Sequence, residues 1–413
     1  MKIILFEIRK NIIRRNIIIP MVILLCVNAI VLCTGVINNT DLFSDDVTIY
    51  NLSKEEWNYY RELHKHFDGT ITEKKQDELI ELYKNLNKRI SSGEFNSEYS
   101  EEARTGFFIG DYRLVESQFY LPMKYMVSYA DENRRLVDEA AENISFYESF
   151  HNRFETEKNQ YIVSQYKNRS LNSFFDVNGW KKLFQYNFSD VAVIIFIILC
   201  VLPLFYKERI SGMEEILICT KRGKKTYLSA KYISIILGIV FFVFLVSITN
   251  YIGFDVAYGL KGMGIPVYAI EEYKYTPYGI TLFQAYLLLV ALKTFGAAVV
   301  STFFCLIASR FYGTITPFVI FVGSVVAGLY ISGFICSDNA VLSYLATFSP
   351  FSLFKARYLV KELYEVSFMG HFCPRLGFCM FMQVLLEIVL IVVSIMNYKM
   401  MMGNRDGRKD AFK

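Results

Sequence analysis

Two ionisable side chains, Lys293 and Glu387, stand inside runs of otherwise apolar sequence long enough to cross a bilayer. An isolated charge near the bilayer centre costs on the order of 2.5–3.5 kcal/mol on insertion scales, so such residues turn toward the protein interior and find a partner. Both spans read as running in the same direction, with Lys293 about twelve residues in and Glu387 about eleven, roughly 18 and 17 Å at ~1.5 Å per residue. Equal depth predicts an intramembrane charge pair tying the fourth span to the sixth; contact with a watery cavity, a cargo or a dimer partner is the alternative. Residue patterns for catalysis are otherwise missing. No G-x-x-x-x-G-K-[ST] phosphate loop occurs, so the chain is not expected to hydrolyse ATP, and neither H-E-x-x-H nor paired C-x-x-C is present. His64 and His66 are two apart and point to different faces of a helix, which disfavours a metal site. The eight cysteines leave residues 38–187 empty, excluding a disulfide framework there. Cys336 and Cys373 pair only if both lie outside, and free thiols are the simpler reading. No catalytic residue, metal or cofactor of its own is expected.

The elements that must position these charges are membrane spans. Of 413 residues, 53% are hydrophobic and 20% charged, and the apolar ones gather in runs of helical crossing length. Six spans are predicted, at 17–37, 188–205, 232–250, 282–308, 315–335 and 376–397. The fold class is therefore an α-helical polytopic membrane protein with six transmembrane helices plus a mainly helical extracellular domain. Orientation follows from the basic residues of the short segments. Residues 1–16 carry net +4, 206–226 net +3 and the basic tail 398–413 net +3, whereas 38–187 carries −7. This places both termini in the cytoplasm and 38–187 outside a plasma (cytoplasmic) membrane. The overall charge of +4 is too small to imply nucleic acid.

Residues 1–16 read as an amphipathic interfacial helix, with Met1, Leu5, Ile8 and Ile12 on one face and Glu7, Lys10 and Arg14 on another. The apolar run that follows has no A-x-A-like cleavage site and is expected to stay as an anchor. In the extracellular domain a helix is predicted to start near Thr70 or Thr72. The stretch Asp131 to Asn168, free of Pro and Gly, predicts one long amphipathic helix. Residues 336–375 mix Phe348, Phe351 and Phe354 with Lys355, Arg357 and Lys361. This pattern is expected of short helices dipping into the outer leaflet, with Pro350, Phe351 and Phe354 capping an exit path.

The segment 206–231 joins the second and third spans on the cytoplasmic side. Ile210, Met213, Ile216 and Leu217 form an apolar stripe on a short helix, with Glu214 and Glu215 on another face. A surface helix of this kind can dock in a cleft of a soluble partner and pass rigid motion to the spans at its ends. Here the chain resembles the ABC-2 type exporter permeases, in the branch with a large extracellular domain between the first two spans. The matching positions are Glu208 after the second span, Gly212, the acidic-apolar helix Glu215 to Leu217, Thr220 with Arg222, and Lys231 entering the third span. Ser349-Pro350-Phe351 before the last span also matches. Lys221 stands where the family often has Pro.

The resemblance implies a permease subunit of an ATP-binding-cassette exporter. It would dimerise with a second permease copy or a sister permease and be driven by a cytosolic ABC ATPase subunit that binds ATP and Mg. The ATPase would grip the coupling helix through Glu208, Gly212, Glu214, Glu215, Leu217 and Arg222. Cargo would be a peptide or another amphipathic or hydrophobic molecule moving outward, with membrane lipid around the spans. A second class of similar layout resembles phage receptors and secretion-system scaffolds, which act through the ectodomain and need no ATPase.

Overall fold

The computed structural model describes residues 2–37, 54–91, 112, 114–213, 216, 223–311, 313–337 and 339–410. Among them six helices are long and apolar enough to cross a membrane, in agreement with the expected number. They are α2 (Arg15–Val31, continued by a π-type turn), α8 (Phe188–Ile210), α9 (Gly223–Tyr258), α10 (Leu282–Ala308), α11 (Ile315–Ser332) and α14 (Arg375–Asp410). The candidate crossing segments of α8, α9 and α10 are 56%, 50% and 44% buried, against 17%, 22% and 28% for α2, α11 and α14. The first three are therefore the centre and the others line it. Outward faces of the lining helices stay apolar, as Val22 and Ile23 of α2 and Ile388 and Val389 of α14 show, which is what lipid requires.

At the N-terminus α1 (Lys2–Asn11) packs along α9, with the Ile12 side chain in the groove left by Gly238. A Cβ at Gly238 would fall 2.6 Å from Ile12 Cδ1. Residues of both predicted faces reach the protein: Ile12 of the apolar face packs on α9, and on the polar face Glu7 is buried while Arg14 stays exposed. The reason for the burial of Glu7 is a buried lysine and carboxylate across from it, described below.

Between α11 and α14 the chain makes a re-entrant hairpin. Its descending arm is α12 (Ala340–Phe348), started by Asn339, whose Oδ1 accepts from the amides of Val341 and Leu342. The tip is Ser349 to Phe351, and a 3-10 turn leads into the ascending arm α13 (Ala356–Lys361). A turn buried among apolar helices frees carbonyls that have no water to bond. Gln383 of α14, fully buried, supplies the donors: Nε2 donates to Thr347 O at 2.9 Å and Ser349 O at 2.8 Å. Phe351 lies between Gly328 of α11 and Phe304 of α10, and Leu353 lies over Gly296. Gly296 is about 21 Å along α10 from Leu282 at ~1.5 Å per residue, so the hairpin reaches well into the span bundle. A Cβ at Gly328 would sit 2.1 Å from Phe351 Cδ2. Gly328→Val should therefore expel the Phe351 ring and cost about 1–3 kcal/mol by overpacking. Thermal unfolding in detergent checks this, and a midpoint equal to wild type would exclude the described packing. The remainder of 336–375 is corrected: it is not helical but a β-hairpin, β3 (Glu365–Phe368) with β4 (His371–Pro374), in the register Val366↔Cys373. Met369 and Gly370, both at positive φ, close it as a two-residue turn.

Among its described residues the domain between α2 and α8 is mainly helical, with one short ladder. It holds α3 (Lys54–Phe67), α4 (Glu73–Ser91), α5 (Leu121–Ser149), α6 (Arg153–Tyr166) and α7 (Asn178–Gln185). Here β1 (Gly69–Thr70) pairs with β2 (Ser173–Phe174). The long helix expected from Asp131 to Asn168 is two helices folded back on each other. His151 takes φ +52°, a conformation that ends α5, and Asn152 caps α6 by accepting from Glu155 N. At the far end Asn133 Nδ2 donates to Tyr166 O at 2.6 Å and holds the pair together. Hydrophobic spacing continues unbroken through the turn, so periodicity alone did not reveal it.

The loop 259–281 after α9 is the platform on which this domain stands. Tyr125 donates to Tyr268 O, Arg169 to Thr276 O and Pro277 O, and Trp180 to Lys261 O. Lys274 pairs with Glu132, and α6 clasps the β3–β4 hairpin through Glu157 with His371 and Lys158 with Glu365. Glu132 is held below the usual carboxylate range chiefly by its hydrogen bond from Lys274, and Glu157 by Arg153 and then the Phe372 amide. Carboxylates held low stabilise the fold above their unfolded value of about 4.3, and the contribution disappears as pH falls through the lower folded value. Acidification below about pH 4 should thus loosen the domain from its platform. Lys274→Gln should flatten the acid limb of a plot of unfolding midpoint against pH, and an unchanged limb would show that the Glu132 contact contributes nothing.

Candidate functional site

Two buried ionic groups lie at opposite ends of the central helices. The first joins α1, α8 and α9. Glu208 ends α8 with one carboxylate oxygen on Lys10 of α1 and the other 2.5 Å from Lys231 Nζ of α9. Lys231 is fully buried; it also donates to Leu204 O at 3.1 Å and lies 4.8 Å from the Phe205 ring centroid. Glu7 stands 3.6 Å from Lys10 and completes a set of two carboxylates and two ammonium groups. Buried charges persist only when paired and hydrogen-bonded, and here the pairing locks three helices to one another. Next along α8, Arg209 donates to Ser309 O and Phe311 O beyond the end of α10, and Arg310 reaches Asn397 of α14.

Gly212 follows at φ +67°, the left-handed region that glycine enters at no steric cost. Beside this turn Ile210, Met213 and Ile216 are 68%, 42% and 63% exposed, an apolar stripe on the surface where the sequence placed one. The residues Glu214, Glu215, Leu217 and Arg222 lie outside the described residues. Of the proposed coupling set the structure therefore positions Glu208 and Gly212.

The second group lies nearer the domain. Asp190, one turn into α8, contacts Lys293 of α10 at 2.5 Å, and Lys293 also donates to Ser189 Oγ at 3.1 Å. A cavity of about 50 Å³ opens beside them, lined in part by Asn187, Asn250, Tyr286 and Arg357. On its flank Asn28 of α2 donates to Asn250 Oδ1 of α9 at 2.8 Å and accepts from Tyr186 at 3.1 Å. The pair expected between Lys293 and Glu387 does not form. Glu387 accepts instead from Thr302 Oγ1 at 2.8 Å. Lys293 and Thr302 are nine residues apart on α10, about half a turn out of phase at ~100° per residue, so α10 shows Lys293 to α8 and Thr302 to α14. Counting along each helix measures depth without azimuth, and Asp190 escaped notice because it sits in the first turn of its span.

Of the exit-path residues, Phe351 and Phe354 are buried in the tip and ascending arm of the re-entrant hairpin, packed against each other at 6.4 Å between ring centroids. Pro350 precedes them in the turn. Cys336 and Cys373 are both free thiols. Among the described residues no group of His, Cys, Asp and Glu has the arrangement of a metal site. Sequence reading missed Lys10, Lys231, Asn28 and Asn250 as parts of the polar layers. Asn28 and Asn250 carried a usable signal, since a lone amide within an apolar run needs a partner.

No protein-family profile, curated protein or solved structure matches this chain.

Proposed function

We propose that the chain is the permease subunit of an ATP-binding-cassette exporter, with its termini in the cytoplasm and the domain between α2 and α8 outside. A separate cytosolic ATPase subunit binds ATP and Mg and drives it, and a second permease copy or a sister permease completes the pathway for a peptide or other amphipathic cargo. The observation that carries this reading is the setting of Glu208. An exposed apolar stripe, Ile210, Met213 and Ile216, begins two residues beyond a carboxylate locked to α1 and α9. Force applied by a partner gripping that stripe reaches three helices at once. The basic segments 1–16 and 206–226 on the same side support the orientation.

The reading is tested in two steps. In a cysteine-free background on intact cells, an impermeant maleimide should label a cysteine at Ser145 and spare one at Ser211. Labelling of Ser211 from outside reverses the orientation and removes the coupling surface. Affinity purification should then bring down an ABC ATPase, and Met213→Glu with Ile216→Glu should release it while membrane insertion is kept. If no ATPase accompanies the wild type, the scaffold or receptor class is the better reading.

A further inference from the structure

The charge balance around the cavity beside Asp190 points to a bound anion. Lys293 of α10 contacts Asp190, Arg357 of the hairpin's ascending arm shares the cavity with it, and Lys355 just before that arm is near enough to act on its charge. Lys293 and Arg357 line the cavity directly, and Asp190 is the one carboxylate among its lining residues. Arg357 donates to Gln185 O at 2.8 Å and to the Tyr358 hydroxyl at 2.6 Å, both uncharged acceptors, and its guanidinium stacks on Tyr358. Of five guanidinium N–H donors two are used, and Lys293 has a third donor beyond Asp190 and Ser189. The carboxylate of Asp190 balances Lys293, so Arg357 brings to the cavity a positive charge that no other lining carboxylate offsets. Both cations are fixed in place by the fold: Lys293 by Asp190, and Arg357 by the end of α7.

We propose that this cavity, between α8, α10 and the re-entrant hairpin, binds a compact oxyanion of the phosphate type. The ion would be either free or the head-group phosphate of an acidic lipid, held by Arg357 and Lys293 with Lys355 at the rim. A volume of about 50 Å³ holds roughly three to five waters at ~10–15 Å³ each, which suits a five-atom tetrahedral anion. The planar fork of Arg357 matches such an anion bidentately. The anion would bridge the hairpin to the second and fourth spans, and the site exists whether or not the chain is an exporter.

The test is thermal unfolding of the full-length protein in nanodiscs of phosphatidylcholine. Inorganic phosphate is titrated against gluconate at matched ionic strength, and a parallel set of discs contains phosphatidylglycerol. A midpoint raised by roughly 2–4 °C with inorganic phosphate assigns a free anion; the same rise with phosphatidylglycerol alone assigns a head group. In either arm Arg357→Gln should abolish the rise and Lys355→Gln should reduce it. Arg135→Gln, remote on α5, should leave it intact. No rise in either arm, or a full rise in both Arg357→Gln and Lys355→Gln, overturns the proposal. Should Arg357→Gln fail to fold, Lys355→Gln decides alone, and a rise equal to wild type in that variant overturns it.

Discussion

Glu208→Gln should be the most damaging single substitution in the membrane block. Lys231 is fully buried and loses the carboxylate 2.5 Å from its Nζ, its closest countercharge, while Lys10 keeps Glu7 at 3.6 Å. Removing one partner of a buried ion pair leaves the other charge uncompensated, at about 3–5 kcal/mol. The expected result is a large drop in unfolding midpoint and in the amount of protein recovered from membranes. Adding Lys231→Met should restore most of the stability, because an apolar side chain of similar length replaces an ammonium that has lost its closest carboxylate. Coupling should behave otherwise. The rescued double variant still lacks the carboxylate that joins α1, α8 and α9, so on the proposed exporter reading partner-driven transport should stay low although the protein folds. Wild-type stability in the single variant would show that the cluster is not buried as described, and full transport in the double variant would show that it transmits nothing.

Lys293→Met should be nearly as costly, since it leaves Asp190 buried beside the cavity without its closest cation, again about 3–5 kcal/mol. Arg357, which lines the same cavity, softens the loss. Lys293→Met with Asp190→Asn should recover most of it, a strongly non-additive result. Combining Lys293→Met with Glu387→Gln should instead give losses that add within about 0.5 kcal/mol, as for sites that share no partner. The two double variants separate the observed pairing from the one equal depth implied. Recovery in the Lys293→Met, Glu387→Gln variant would mean that these residues meet after all.

The contrast between Lys293 and Glu387 marks where linear reading stops. Hydropathy located the spans because a helix in lipid satisfies its own backbone and shows apolar side chains outward wherever it touches tails. That requirement is local and acts on every residue of the run. Depth is nearly as local, being a count times a rise. Partner choice is neither: it depends on the rotation of each helix about its axis, and the packing of α10 between α8 and α14 sets that rotation. The same holds for α1. Its two faces were legible from spacing, but the turn of Glu7 and Lys10 toward the interior follows from Glu208 and Lys231, which lie about 200 residues away in sequence and whose side chains needed countercharge.

Helix breaks divided in the same way. The ends of the spans followed from where the apolar runs stop, whereas the turn at His151 came without Pro or Gly and needed the packing of α5 on α6 to fold the chain back. The re-entrant hairpin shows both sides. The mixture of Phe351 and Phe354 with Lys355 and Arg357 indicated a segment that dips toward lipid. That it can turn there was decided by Gln383, whose amide bonds the carbonyls of Thr347 and Ser349, and by Gly328, whose missing side chain admits Phe351. By itself, the sequence determined six helices of crossing length, a mainly helical segment between the first two and an apolar stripe after Glu208. Tertiary structure alone decided which buried charges meet, because burial turns each unpaired charge or carbonyl into a cost that only a distant residue can remove.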